Sequence, residues 1–188
     1  MSEFTFSQAQ ADMRSGYLCG VPGIWASGAV WLVAAAVAVQ VSHPAGVLAL
    51  LAGGMVIHPL GVVLAKLLGR TGGHTAGNPL GRLAAEGTFW LLAGIAIAYG
   101  MQVLRLEWFF PAMLLLIGGR YLTFQTLYGL KAYWVLGGVL CGVGLVLALA
   151  RVPAPVAAFA GGLIEVLFAA LLFRRAKRDV ANPATLAR

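Results

Sequence analysis

The stretch "PAMLLLIGGRYLTFQTLYGLKAYW", Pro111 to Trp134, decides how this chain is read. It opens as an apolar run long enough to cross a bilayer, which takes about 20 residues. Arg120 then stands in its middle. On insertion scales a guanidinium at that depth costs about 2.5 to 3.5 kcal/mol. A chain that keeps one there has either a partner for it inside the membrane or a use for it.

Around that stretch the composition points to lipid as the solvent. Of 188 residues, 61% are hydrophobic and only 10% charged, and the mean hydropathy is +0.89. Globular domains sit nearer 45–50% apolar and about 25% charged. A soluble chain of this length could not hide so much apolar surface. The 25 glycines fit close helix–helix approach, because small residues let backbones touch. A net charge of +7 would suggest nucleic acid in a soluble domain, but here its placement along the chain matters more, and no nucleic-acid partner is expected. Cys19 and Cys141 fall in apolar segments without CxxC spacing, so neither a disulfide framework nor a zinc site is supported.

Apolar runs bounded by turn residues predict an all-α polytopic membrane protein with six spans, near 18–41, 45–68, 80–104, 109–130, 133–150 and 154–173. Residues 1–17 read as a short amphipathic lead-in with Phe6, Ala9 and Met13 on one face. Glu3 and Asp12 beside Arg14 argue against a signal peptide. Residues 175–188 form a basic tail, with 18–174 between as the membrane domain. Arg14, Lys66, Arg70, Arg82, Lys131 and the 174–178 cluster fall on one side, and Arg105 and Arg151 on the other. The positive-inside rule then sets both termini in the cytoplasm. Trp108, Phe109 and Phe110 are expected at the outer interface, and Tyr133 with Trp134 at the inner one. The tail is a candidate for contact with anionic lipid.

Three segments align with one another: "VSHPAGVLALLAGGMVIHPL", "EWFFPAMLLLIGGRYLTFQT" and "RVPAPVAAFAGGLIEVLFAA". Each has proline in its first turn and a glycine pair near mid-span. The reading is three helix hairpins in tandem, a pattern used by transporters with sites at repeat interfaces. Past the glycine pairs come His58, Arg120 and Glu165, and Glu86 enters at similar depth from the third span. Ionisable side chains in spans face the interior or a wet cavity and pair with one another. Arg120 with Glu165 is the most economical pair. Tyr121 and Gln125 extend a polar stripe from Arg120 toward the cytoplasm. His58 precedes Pro59, whose missing N–H frees the Met55 carbonyl.

The loop "GRTGGHTAGNPLGRLAAEG" (69–87) lacks P-loop spacing, and Asn78-Pro79 reads as a helix start. No HExxH or GxSxG signature occurs, no aspartate lies in a span, and His43 and His74 fall on opposite sides. No cofactor, metal or catalytic residue is therefore assigned.

The blocks "DMRSGYLCGVPGIWASGAVWL", "GNPLGRLAAEGTFW" and "EWFFPAMLLLIGGRYLTFQTLYGLKAYW" resemble a group of small uncharacterised bacterial inner-membrane proteins, over residues 11 to 135. The resemblance implies a bacterial inner membrane and carries no activity. The functional expectation is a permease or channel-like protein for a small polar or anionic solute, with proton linkage as an option. Its candidate ligand or ion-path residues are His58, Glu86, Arg120, Tyr121, Gln125 and Glu165. The rival is a non-transporting scaffold or stress-protection protein in which a buried ion pair fixes helix order. Six short helices barely surround a path, so homo-oligomerisation is also considered.

Overall fold

The structure, a computed structural model, describes residues 4–181, with side chains described as far as Ala176. Among the described residues every regular element is helical: α1 (Phe6–Tyr17), α2 (Val21–Gln40), α3 (His43–Leu67), α4 (Leu80–Leu104), α5 (Phe109–Tyr128), α6 (Ala132–Leu149) and α7 (Ala154–Ala181). Short 3₁₀ turns at Leu18–Gly20 and Leu106–Trp108 precede α2 and α5. Among the described residues five stretches are long and apolar enough to cross a membrane: Phe6–Gln40, α3, α4, α6 and Ala154–Ala176 of α7. Six spans were expected. The sixth, α5, has the length, but Arg120, Thr123, Gln125 and Thr126 dilute the apolarity of its second half. It is a helix enclosed by others, with Phe110, Leu114, Gly118 and Tyr121 all buried.

Local chemistry sets the helix ends. Thr5 and Gln8 close a reciprocal capping box at the start of α1, the Thr5 amide donating to Gln8 Oε1 at 2.9 Å. Ala9, Met13 and Gly16 form the buried face of this helix, whereas Phe6 is 60% exposed. Of the face expected to hold Phe6, Ala9 and Met13, Phe6 is thus not buried, and Gly16 is, lying against the Gly73 carbonyl with no room for a Cβ. Leu18, Cys19 and Gly20 all take positive φ, separating α1 from α2. The Tyr133 hydroxyl donates to the Cys19 carbonyl and braces this break. Asn78 Oδ1 accepts from the Leu80 amide at 3.0 Å, so the Asn78-Pro79 start of α4 forms as its sequence suggests.

Packing departs from three tandem hairpins. The most extensive contacts are α5 on α6, α2 on α3 and α2 on α7. The pairing expected in the third hairpin, α6 with α7, is slight; α7 lies against α2 instead. Glycine decides both close approaches. A Cβ on Gly28 would meet the Gly162 carbonyl oxygen at 3.1 Å, and one on Gly118 would meet that of Gly137 at 2.8 Å. The three aligned glycine pairs thus do not share one kind of neighbour: Gly53 and Gly162 both meet α2, whereas Gly118 meets the following helix α6. The bundle core holds Trp31, Phe109, Phe110 and Tyr133, each fully buried. Phe109, Phe110 and Tyr133 are core residues rather than interfacial anchors, while Trp134 remains 56% exposed. Bulky rings fill the spaces that small residues open elsewhere.

Helix α7 continues past residue 175, where the basic tail is expected to begin, to Ala181. Residues 182–188 of that tail, Arg188 included, lie outside the described residues. Two neighbours in sequence, α3 and α4, barely touch. That gap positions the site.

Candidate functional site

Chain direction defines two ends of the bundle. The near end carries α1, the 68–79 loop and the 129–131 turn; the far end carries the α2–α3, α4–α5 and α6–α7 connections. At the near end α1 fastens the loop. Asp12 accepts from the Thr75 amide at 2.9 Å, the Thr75 hydroxyl at 2.7 Å and Asn78 Nδ2 at 2.8 Å. Asn78 Nδ2 also donates to the Ala9 carbonyl at 3.0 Å, and the Gly72 amide to the Gly16 carbonyl at 3.0 Å. Arg14 Nη1 and Gln10 Nε2 donate to the Tyr128 and Thr126 carbonyls at the end of α5. Tyr17 and His74 meet at 3.0 Å. The loop is thereby a fixed lid on that end of the bundle.

Between α3 and α4 runs a cavity of about 620 Å³, floored by α2 and α5. This is within the roughly 300–1,000 Å³ typical of ligand pockets. His58, Thr88, Arg120 and Tyr121 lie on its wall with Ser27, Trp31 and Phe124. His58, Thr88 and Arg120 lie eight or nine residues from the near ends of their helices (58 to 67, 80 to 88, 120 to 128). At 1.5 Å per residue that is one level, roughly 12–14 Å in.

Arg120 Nη2 donates to Thr88 Oγ1 at 3.0 Å. The Thr88 hydroxyl donates in turn to the Ala84 carbonyl at 2.9 Å. Its oxygen is therefore free to accept, and Thr88 holds the guanidinium against the α4 side of the gap. The Arg120 guanidinium carbon also lies 5.6 Å from the centre of the Phe124 ring, a cation–π distance. Thr123 Oγ1 donates to the Arg120 carbonyl at 2.7 Å, the back-bonding expected of a threonine within a helix. A guanidinium has five N–H donors, and Thr88 engages one of them.

Glu165 is not the partner of Arg120. It is 0% exposed, and its Oε1 accepts from the Tyr121 hydroxyl at 2.9 Å. Buried Ser27 lies beside this pair. Among the described residues the one ion pair within 4.0 Å is Arg105 with Glu107, at 3.7 Å. The expected Arg120–Glu165 bridge fails because consecutive residues of a helix point about 100° apart. Tyr121 faces α7 and takes the carboxyl, while Arg120 faces α4.

Three of the six expected residues, His58, Arg120 and Tyr121, thus share the cavity. Glu165 stands behind Tyr121. Glu86 is exposed on α4, and Gln125 is half-buried on α5 away from the cavity wall. Two others escaped sequence reasoning. Thr88 belongs to no motif, although it lies two residues past Glu86 and at the depth of Arg120. Ser27 was masked by the small-residue run around Gly28.

The match to a protein family covers this whole assembly. The chain belongs to DUF7010, a family of unknown function. The family model matches residues 6–175, from the first residue of α1 to beyond Glu165. Both the lid and the cavity therefore lie within the matched residues, which extend well past residue 135. No curated protein and no solved structure matches the chain.

Proposed function

We propose that this chain is a membrane permease or channel-like protein whose α3–α4 cavity takes a small polar or anionic solute at Arg120. One observation carries the reading. The Arg120 guanidinium stands at the wall of a cavity with a neutral hydroxyl for partner and no carboxylate within ion-pair distance among the described residues. A charge in a low-dielectric setting is stable only when compensated. An anion binding there supplies the compensation that Glu165 does not. His58 adds a second polar group at the same level, and Tyr121 joins the wall to the buried carboxyl.

In the same reading α5 is a sixth span, set inside the bundle, and both termini are cytoplasmic in a bacterial inner membrane. The near end with its fastened loop is then the cytoplasmic end. The basic tail meets anionic lipid there, and a second copy of the chain completes the enclosure of the path.

The scaffold reading has its own support, the fully buried Tyr121–Glu165 bond tying α5 to α7. Thermal unfolding of the purified protein with chloride, nitrate, phosphate, acetate and longer carboxylates separates the two. Stabilisation by at least one anion, lost in Arg120→Gln, supports a solute site. Equal midpoints in every anion, with Arg120→Gln merely less stable, would leave the scaffold.

A further inference from the structure

The cavity is polar at one end only. Toward the near end lie Tyr17, His58, His74, Thr88, Arg120 and Tyr121. Toward the far end its wall is Leu50, Leu51, Leu91, Ile95, Met113 and Ile117. Helix direction fixes this order: residue number falls along α3 and α5 toward the far end and rises along α4. On three separate helices the polar group deepest in the cavity, His58, Thr88 or Arg120, therefore falls at one level, and beyond it toward the far end the lining of these helices is apolar. A site for a compact inorganic anion needs donors on all sides and has no use for a long apolar annex. The annex also opens sideways, because α3 and α4 barely touch along it.

We infer that the cavity accommodates a single-chain carboxylate amphiphile that enters from the lipid between α3 and α4, its carboxylate on Arg120 and its chain toward Leu50 and Ile95. The inference rests on the anion reading of Arg120 and names the class of solute. A carboxylate suits the donor set. One guanidinium presents two parallel N–H groups to a planar monoanion, whereas the second charge of a phosphate dianion meets no lysine or further arginine on this wall. The Thr88 bond holds the guanidinium to one side of the gap and leaves its remaining donors for the head group. The apolar lining receives the chain, and the volume of about 620 Å³ suits one chain rather than a two-chain lipid. Lateral entry spares the carboxylate a passage through the fastened near-end loop.

The test uses the full-length protein in nanodiscs of zwitterionic phospholipid, with a dansyl-labelled fatty carboxylate as the probe. Unlabelled palmitate should displace the probe, and palmitate methyl ester and acetate should each do so at least about tenfold more weakly, the scale of one charge-assisted contact. Arg120→Gln should weaken probe binding by a similar factor, and Ile95→Trp should weaken palmitate while sparing small anions. If acetate displaces the probe as well as palmitate does, the amphiphile inference fails and the anion site stands. If the ester equals the acid, both fail, and this comparison needs no variant to fold. Unchanged palmitate affinity in Ile95→Trp, or no probe binding above that to empty nanodiscs, would also overturn the inference, the latter assigning the groove to bilayer lipid.

Discussion

Removing one oxygen atom tests which residue holds the buried carboxyl. Tyr121→Phe deletes the hydroxyl that donates to Glu165 at 2.9 Å and leaves the ring to stack on Tyr133, 6.1 Å between centres. Glu165 is 0% exposed, so water cannot replace the lost donor. A hydrogen bond to a charged group contributes about 1.5–3 kcal/mol and a neutral one about 0.5–1.5. A loss of about 2 kcal/mol lowers the apparent melting midpoint of a chain this long by about 4–8 °C. In Glu165→Leu the acceptor is gone, so adding Tyr121→Phe should cost little more, with about 1–2 kcal/mol of coupling. Arg120→Met combined with Glu165→Leu should instead be additive within about 0.5 kcal/mol, since the two share no partner. Fluorescence-detected unfolding in detergent, with size-exclusion monodispersity as a control, measures all of these. Additivity for Tyr121 with Glu165, or clear coupling for Arg120 with Glu165, would return the carboxyl to Arg120. The guanidinium would then be compensated internally, and the case for an anion would go with it.

Adjacent glycines should respond oppositely. Gly137→Ala drives a methyl to 2.6 Å from the Gly118 carbonyl oxygen and should cost about 1–3 kcal/mol, whereas Gly138→Ala meets nothing within 4 Å and should be neutral or stabilising by up to about 1 kcal/mol. Thermal melts of the two variants side by side decide it. Asn78→Ala removes the start of α4 together with the bonds to Ala9 and Asp12. It should cost about 2–4 kcal/mol and increase proteolysis in the 68–79 loop, which limited digestion reads. Reporter fusions after Arg105 and Arg151 should score outside the cytoplasm, and those after Arg70 inside. Inversion of that pattern would remove the cytoplasmic assignment of the near end.

Much of the site was legible in part. Arg120 drew notice because a charge inside an apolar run is costly, and that cost is a property of sequence alone. Its partner was not legible. Arg120 and Tyr121 are neighbours in the chain, yet one turns to α4 and the other to α7, and only the placement of those helices assigns Thr88 to the first and Glu165 to the second. Glu86 looked equivalent to Arg120 by depth but stands on an exposed face of α4. Gln125 fell on the expected stripe and still misses the cavity. Depth along a span can be counted from its end, whereas azimuth means nothing until the neighbours are known.

The fold divides along the same line. By itself the sequence determined an all-helical chain suited to lipid, with helix ends close to their observed places: 80–104 for α4, 45–68 against His43–Leu67, 154 for the start of α7. Apolar run length and turn residues encode these directly, because a backbone in hydrocarbon must satisfy its own hydrogen bonds. Only the tertiary structure decided that α7 packs on α2 rather than α6, that Phe109, Phe110 and Tyr133 are core, and that α3 and α4 stand apart around a cavity. In water an apolar stripe tells a helix which way to face. These helices are apolar all round, so their lateral order rests on close fits such as Gly28 against Gly162, whose partners lie far apart in sequence and leave no periodic trace in it.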